Sequence, residues 1–360
     1  MLMSVFSAEE MLRLHSIPLY SVNGYSLEAG ELTITGLALA AEGQAKNVKV
    51  GLEQTIAFEF DYPLPSEGAK PIYWYWKNSE NASYRLRIKL ADTTHEGAFF
   101  PFQLIFAGRH HDKPEKIRTT NIIPKNLSLL QNYPSQSSLK RVQFFETISS
   151  VATRGASDAY RIAEIAQLHG VSPTSARILD WGMGHGRVAR FLHPVAGAND
   201  VHGIDIDPEN ITWAQQHLPQ VASMLGPLNP PTIYEKRSFD LIYGISVMTH
   251  LVENVQRAWL EEISRILRPG GLALLTFAGD SAVAFSSQHI TRDWFEGYTR
   301  TGRGILSDNA LAGVISDAEY YKNVKVKLPK AVSLCSEYMD VKASYECMFG
   351  YQDLIVMGIS

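Results

Sequence analysis

Residues 178–192 hold the side chains whose types and spacing point most directly to chemistry. An apolar run ends in Asp180, a turn follows with Gly182, Gly184 and Gly186, and Val188, Phe191 and Leu192 then recur at helical spacing. Glycines at a strand-to-helix junction permit a tight bend and let a ligand approach the main chain, where amide N–H groups and the helix dipole favour polar or anionic groups. A second apolar run, Val201 to Asp205, ends in a carboxylate. That separation suits the acid that takes the ribose hydroxyls of a nucleotide-like cofactor in a doubly wound sheet. Farther on, Ser238 to Tyr243 reads as another strand, and His250 follows it within a short stretch. An imidazole titrates nearest neutral pH, so His250 is the candidate general base, with a structural or helix-capping histidine as the plainer alternative. His185 is a second candidate for contact with cofactor or acceptor. Arg187 is either a partner for a carboxylate or a solvated arginine at a helix start.

The glycine turn departs from the dinucleotide fingerprint, because Gly186 comes one place early and Arg187 occupies the position where helix and strand should pack closely. An Asp-x-Gly-x-Gly-x-Gly turn with an acid ending the next strand instead resembles the class I S-adenosylmethionine-dependent methyltransferases. The order of later features agrees: the strand at 238–243, then Arg268, Pro269, Gly270 and Gly271 before an apolar strand through Thr276. Strands at 338–343 and 353–357, joined by a turn at 350–353, resemble that family's closing hairpin. The resemblance covers roughly residues 140–360. It implies an α/β, Rossmann-like seven-stranded domain with S-adenosyl-L-methionine as cofactor and no metal. By the same resemblance Asp180, Gly182, Met183, Gly184 and Gly186 border the methionine part of the cofactor. Asp205 accepts from the ribose hydroxyls, Ile206 and Asp207 neighbour the adenosine, Met224–Asn229 carry adenine contacts, and Ser246 lies at the end of the fourth strand. Read only as a strand–helix turn and a helix N-terminal charge ahead of Pro208, these features are explained singly, but their order is left to chance.

The chain has 360 residues, enough for two domains, since single cores stop growing near about 250–300 residues. Its 45% hydrophobic and 19% charged residues describe an ordinary globular protein, and a net charge of -4 makes no electrostatic case for nucleic acid or an anionic membrane. Cys335 and Cys347 lack metal-ligand spacing and read as two reduced core thiols, which with Glu9 and Glu10 interrupting the N-terminal apolar pattern predicts a cytoplasmic location. The Asn81 and Asn126 glycosylation triplets are then chance matches. No apolar run approaches the ~20 residues needed to cross a bilayer. The chain offers no P-loop, nucleophile elbow or zinc-deaminase pattern. Asn229-Pro230-Pro231 ends in Thr232 and precedes the fourth strand, unlike the signature of amino-methylating DNA enzymes. A small-molecule or glycan acceptor, methylated on oxygen or nitrogen, is the expectation. A homo-oligomer is compatible with this reading. The competing reading is a non-catalytic scaffold whose β-domain binds a glycan or protein partner.

Residues 1–110 have another texture. After a short helix at 8–14, pairs such as Leu32 and Ile34, Val48 and Val50, Phe58 and Phe60, and Leu86 and Ile88 alternate with polar neighbours, and Phe99 to Phe106 supplies a further strand. Period-two alternation predicts a small antiparallel β-sandwich-like domain. Residues 111–138, with three nearby prolines, read as a connector, and the adjacent His110 and His111 as loop histidines without further metal ligands. Residues 139–360 form the methyltransferase-like domain: a helix over 139–168 broken near Gly155-Ala156-Ser157, and a long insertion at 280–329. Trp294, Tyr298, Tyr320, Tyr321 and Lys322 in that insertion are candidate walls of an acceptor pocket. Tyr73, Trp74, Tyr75 and Trp76 read as four aromatics on one strand, so that two face outward and suit sugar rings or a partner surface.

Overall fold

The computed structural model describes residues 5–15, 17–40, 48–52, 56–90, 97–109, 112–126, 128, 131–135, 138–139, 147–308, 310–311, 314–315 and 320–360. His110 and His111 lie outside the described residues. The chain divides into two compact units. One holds residues 1–133 with 145–157 and 284–289; the other holds 134–144, 158–283 and 290–360.

The first unit begins with α1 (Ala8–Leu14), started by a capping box in which Ser7 and Glu10 satisfy each other's amides. Strands β1 (Leu19–Glu28), β2 (Glu31–Leu39), β3 (Val48–Gly51), β4 (Phe58–Leu64), β5 (Ser83–Lys89), β6 (Phe99–Phe106) and β7 (Thr120–Pro124) form two antiparallel sheets, ordered β1-β2-β5-β4 and β3-β6-β7. Alternate residues such as Leu86 and Ile88 of β5 and Phe100, Phe102 and Leu104 of β6 fill one shared core, which makes the pair of sheets a sandwich. The connector expected at 111–138 is corrected. It contains α3 (Lys113–Thr119) and β7, which pairs with β6 from Phe99↔Pro124 to Gln103↔Thr120. The prolines mark the ends of these elements, and the buried Ile122 and Ile123 make the stretch between them an edge strand.

The aromatic run is also corrected. Residues 73–76 follow the short helix α2 (Ala69–Ile72) as turns, so they do not alternate across a strand. Tyr75 and Trp76 are buried: the Tyr75 hydroxyl lies 3.1 Å from His15 Nδ1, and the Trp76 indole donates to the Ala40 carbonyl at 2.6 Å. Trp74 donates to Ser287 Oγ at 3.0 Å and Tyr73 packs on Phe285, both within the same unit. The four rings therefore offer no aligned outward face.

Helix α4 (Ile148–Leu168) runs without the break expected at residues 155–157. Ala152, Ala156 and Ala159 are buried along it, and Ser157 Oγ accepts from the Ile122 amide at 2.9 Å, so packing outweighs the weak helix propensity of Gly155 and Ser157.

The second unit is built on a seven-stranded sheet. Its strands are β8 (Arg177–Trp181), β9 (Asp200–Asp205), β10 (Val221–Leu225), β11 (Phe239–Gly244), β12 (Leu267–Ala278), β15 (Asp340–Phe349) and β16 (Gln352–Gly358), in spatial order β10-β9-β8-β11-β12-β16-β15. Six strands run in the same direction, and β16 inserts antiparallel between β12 and β15. The strand after β9 is β10, which ends at Leu225, so residues 226–229 follow it as a loop. Helices α5 (Ala189–Ala196), α6 (Pro208–His217), α7 (Glu253–Ile266), α8 (Asp280–Phe285), α9 (Arg292–Thr301) and α10 (Leu328–Ser336) complete the element order, with a hairpin of β13 (Arg303–Ser307) and β14 (Lys322–Val326) in the insertion. Cys335 and Cys347 are buried thiols, and Cys347 Sγ donates to Ser281 Oγ at 2.9 Å. Among the described residues no helix is long and apolar enough to cross a membrane.

Candidate active site

Strand order reverses between β8 and β11, which places a crevice at the carboxyl ends of these strands, where open α/β sheets take ligands. Both sequence-predicted loops meet there. Gly182, Gly184 and Gly186 all have positive φ (75°, 54° and 75°). A Cβ at Gly182 would fall 2.4 Å from Val247 Cγ2, so the turn after β8 packs directly on the loop after β11. One at Gly186 would fall 2.5 Å from Leu218 Cδ1. These two glycines are therefore demanded by the protein's own packing as well as by the bend.

Asp205 ends β9 and closes on the same turn. Its Oδ2 accepts from the Gly184 amide at 2.7 Å, and its Oδ1 accepts from the Asp207 amide at 2.9 Å. Burial pushes its carboxyl up to about 6, against the pull of the surrounding amides. A carboxylate has about four lone-pair sites, so acceptor capacity remains beside the two bonds made here. Asp180 is buried, and this carries its carboxyl up to about 7 although the Tyr243 phenol and the Arg187 guanidinium favour its charged form. Met183 is buried and turned toward Gly203, where a Cβ would meet its sulfur at 2.2 Å. Ile206 packs against the main core cluster. Asp207 caps α6 by accepting from the amides of Glu209 and Asn210, at 2.9 and 3.4 Å.

Two flanking candidates have settled roles. His185 is fully enclosed, edge-on to Trp213, and burial pulls its imidazole down to about 3, so it is a neutral core ring and not an acceptor contact. Arg187 pairs with Asp158 at 2.5 Å, and Asp158 also binds Arg161 at 2.9 Å.

Beyond β11, Ser246 adopts a left-handed φ of 65°, costly for a side-chain-bearing residue. A polar chain holds it: its amide donates to Thr276 Oγ1 (2.7 Å), Thr276 donates to Gln352 Oε1 (2.7 Å), and Gln352 Nε2 donates to Ser246 Oγ (3.0 Å). Thr249 Oγ1 donates to the Ser246 carbonyl at 2.9 Å, so Ser246 is the donor in the 3.2 Å contact between their hydroxyls.

His250 closes the 3-10 turn Met248–His250. Its Nδ1 lies 3.0 Å from the Lys322 carbonyl and 3.5 Å from Asp308 Oδ2. A carbonyl only accepts, so Nδ1 carries the proton and the neutral ring keeps its lone pair on Nε2, the form a general base requires. Tyr321 stacks on the imidazole with centroids 4.1 Å apart and planes 12° apart. Burial, followed by the fields of Asp308 and Asp205, raises the Tyr321 phenol, which places the insertion within electrostatic reach of the Asp205 carboxylate. For Asp308, burial acts upward, but the His250 hydrogen bond, a backbone amide and Lys325 together hold it below the usual carboxylate range. Sequence reading flagged Tyr321 and Lys322 but missed Asp308, Lys325, Thr276 and Gln352. No local pattern marks them, because each acts through a partner distant in sequence.

Comparison with known proteins finds methyltransferases. A family model described as a methyltransferase domain matches residues 178–271. A probable phthiotriol/phenolphthiotriol dimycocerosates methyltransferase from Mycobacterium ulcerans is 32% identical over 114 residues, which are 31% of this chain and 41% of that protein. The chain thus spans about two fifths of the length of that curated relative. An S-adenosylmethionine-dependent methyltransferase structure from Methanosarcina mazei has TM-score 0.42 and 16% identity, covering 54% of this chain and 97% of that one. A TehB-like one from Corynebacterium glutamicum has TM-score 0.38 and 21% identity, covering 57% and 88%. The matched segment runs from β8 through Gly271, so the chain carries a methyltransferase domain there.

Proposed function

We propose that this chain binds S-adenosyl-L-methionine in the crevice between β8 and β11 and methylates an oxygen or nitrogen of a small-molecule or glycan-type acceptor. The observation that carries the reading is the Asp205 carboxylate, half-buried at the end of β9, anchored to the Gly184 amide and still able to accept. It suits a vicinal diol. Asp180 and the Gly182–Gly186 turn border the cofactor's amino-acid end, and Ile206 its adenosine. When bound, the cofactor supplies an electrophilic methyl carbon on a sulfonium. The protein's part is to align the acceptor, exclude water and take the acceptor's proton. His250 Nε2 accepts that proton, while the Lys322 carbonyl and Asp308 hold the ring's tautomer and stabilise the imidazolium that forms. The strained Ser246 backbone, fixed by Thr276 and Gln352, shapes the β11 loop that lies against the glycine turn.

Calorimetric titration with S-adenosylmethionine and S-adenosylhomocysteine tests the cofactor reading. Saturable heat from both is expected. Binding of NADH with no response to either would transfer the site to reductase chemistry. Incubation with methyl-labelled cofactor and a small-molecule extract tests turnover: acceptor-dependent label is expected, and tight binding without label would favour a scaffold.

A further inference from the structure

Lys325 is the fourth of the five residues of β14 and is 4% exposed. Its neighbours Val324 and Val326 belong to the main hydrophobic cluster, so strand alternation turns Lys325 to the other face of the hairpin. Among the described residues it makes no hydrogen bond or ion pair; Asp308, whose field reaches it, is engaged with His250. Directly across the hairpin is Gly304, which offers no side chain. A Cβ on Gly304 would meet the Trp294 ring at 2.2 Å, which puts the indole on the face that Lys325 shares. Three residues before Lys325, the Lys322 carbonyl accepts from His250. The hairpin that orients the candidate base thus also carries a lysine whose side chain is almost wholly buried, with no hydrogen bond of its own and only the field of an Asp308 already engaged by His250. Such a group is costly unless a ligand supplies the missing anion, and burial draws it down to about 8.

We propose that Lys325 recognises an oxyanion, a carboxylate or phosphate, on the methyl acceptor, with the Trp294 indole packing against the acceptor's apolar body. This rests on the methyltransferase reading of the same site and narrows its acceptor to an anionic molecule. Lys325 is a specificity-determining residue here; the proton still goes to His250.

The test uses the full chain with lysine side chains isotope-labelled for NMR, titrated with butyrate as the carboxylate probe and inorganic phosphate as the other, with and without S-adenosylhomocysteine. A saturable shift of the Lys325 side-chain signal is expected with at least one probe, and the stronger response names the oxyanion. Lys325→Met should weaken that probe by about tenfold or more, as loss of a charge-assisted contact requires, while Lys325→Arg retains it. The melting temperature of Lys325→Met should hold or rise, since an unpaired buried charge is removed; a purely structural lysine would lower it. No shift with either probe, or undiminished probe binding by Lys325→Met, overturns the proposal. Failure of S-adenosylhomocysteine to bind while the probe response persists would refute the cofactor reading instead.

Discussion

Asp205 allows the cofactor reading to be tested by pH alone. Its carboxyl sits at about 6 in the folded chain, above the 3.8 of an unperturbed aspartate, because burial disfavours the charge. A protonated carboxyl loses most of its capacity to accept from a diol, so affinity for S-adenosylhomocysteine should follow the ionised fraction. Between about pH 7.5 and pH 5 that fraction falls from nearly all to about a tenth, a loss of about tenfold or ~1.4 kcal/mol. The sign of the stability effect is opposite. A carboxyl raised by folding contributes stability that is fully present below 3.8 and is lost as pH rises through about 6. Over this window acidification therefore favours the fold through Asp205, and weaker binding cannot be assigned to unfolding by this group. Calorimetric titrations at several pH values, with the melting temperature followed in parallel, make the measurement. Asp205→Asn should lose about 1–3 kcal/mol of affinity at neutral pH and flatten the profile, since an amide does not titrate. Any slope left belongs to Asp180, which sits near 7. A flat wild-type profile, or one whose slope survives Asp205→Asn unchanged, would refute the reasoning.

Four further variants have defined outcomes. Gly182→Ala combines left-handed strain of about 1–2 kcal/mol with overpacking of about 1–3 kcal/mol against Val247; urea unfolding should show both, and adding Val247→Ala should recover only the second. Gly170→Ala, with φ of 90° and open space around its Cβ, should show the strain alone. His250→Asn should lower turnover on the labelled acceptor about 10²-fold while S-adenosylhomocysteine binds normally, and full turnover would return His250 to a structural role. A chain beginning at Leu139 strips residues 145–157 and 284–289 of partners such as the Val22 carbonyl, which accepts from Ser150, and Tyr73, which packs on Phe285; it should be aggregation-prone, and a soluble chain with native near-ultraviolet dichroism would contradict the assignment of these segments to the first unit.

Features written in local backbone chemistry could be read from the sequence. Positive φ demands glycine, so the turn at 182–186 announced itself, and an acid closing an apolar run marked Asp205 at the end of β9. The alternation of Phe100, Phe102 and Leu104 likewise carries its structure in adjacent residues. Tertiary structure alone decided the rest, because it depends on which distant groups share a space. Four aromatics at 73–76 look the same in sequence whether they lie on a strand or in turns, and only partners such as Ala40 and Ser287 turn them inward. Prolines suggested a connector where pairing with β6 makes β7 a strand. His250 could be singled out by type and position, but its tautomer depends on a carbonyl 72 residues later in the chain. Lys325 gives no local sign of its burial: a lysine between two valines is ordinary on any half-exposed strand, and only the packing of the insertion hairpin encloses its side chain with no hydrogen-bond partner and a counter-charge shared with His250.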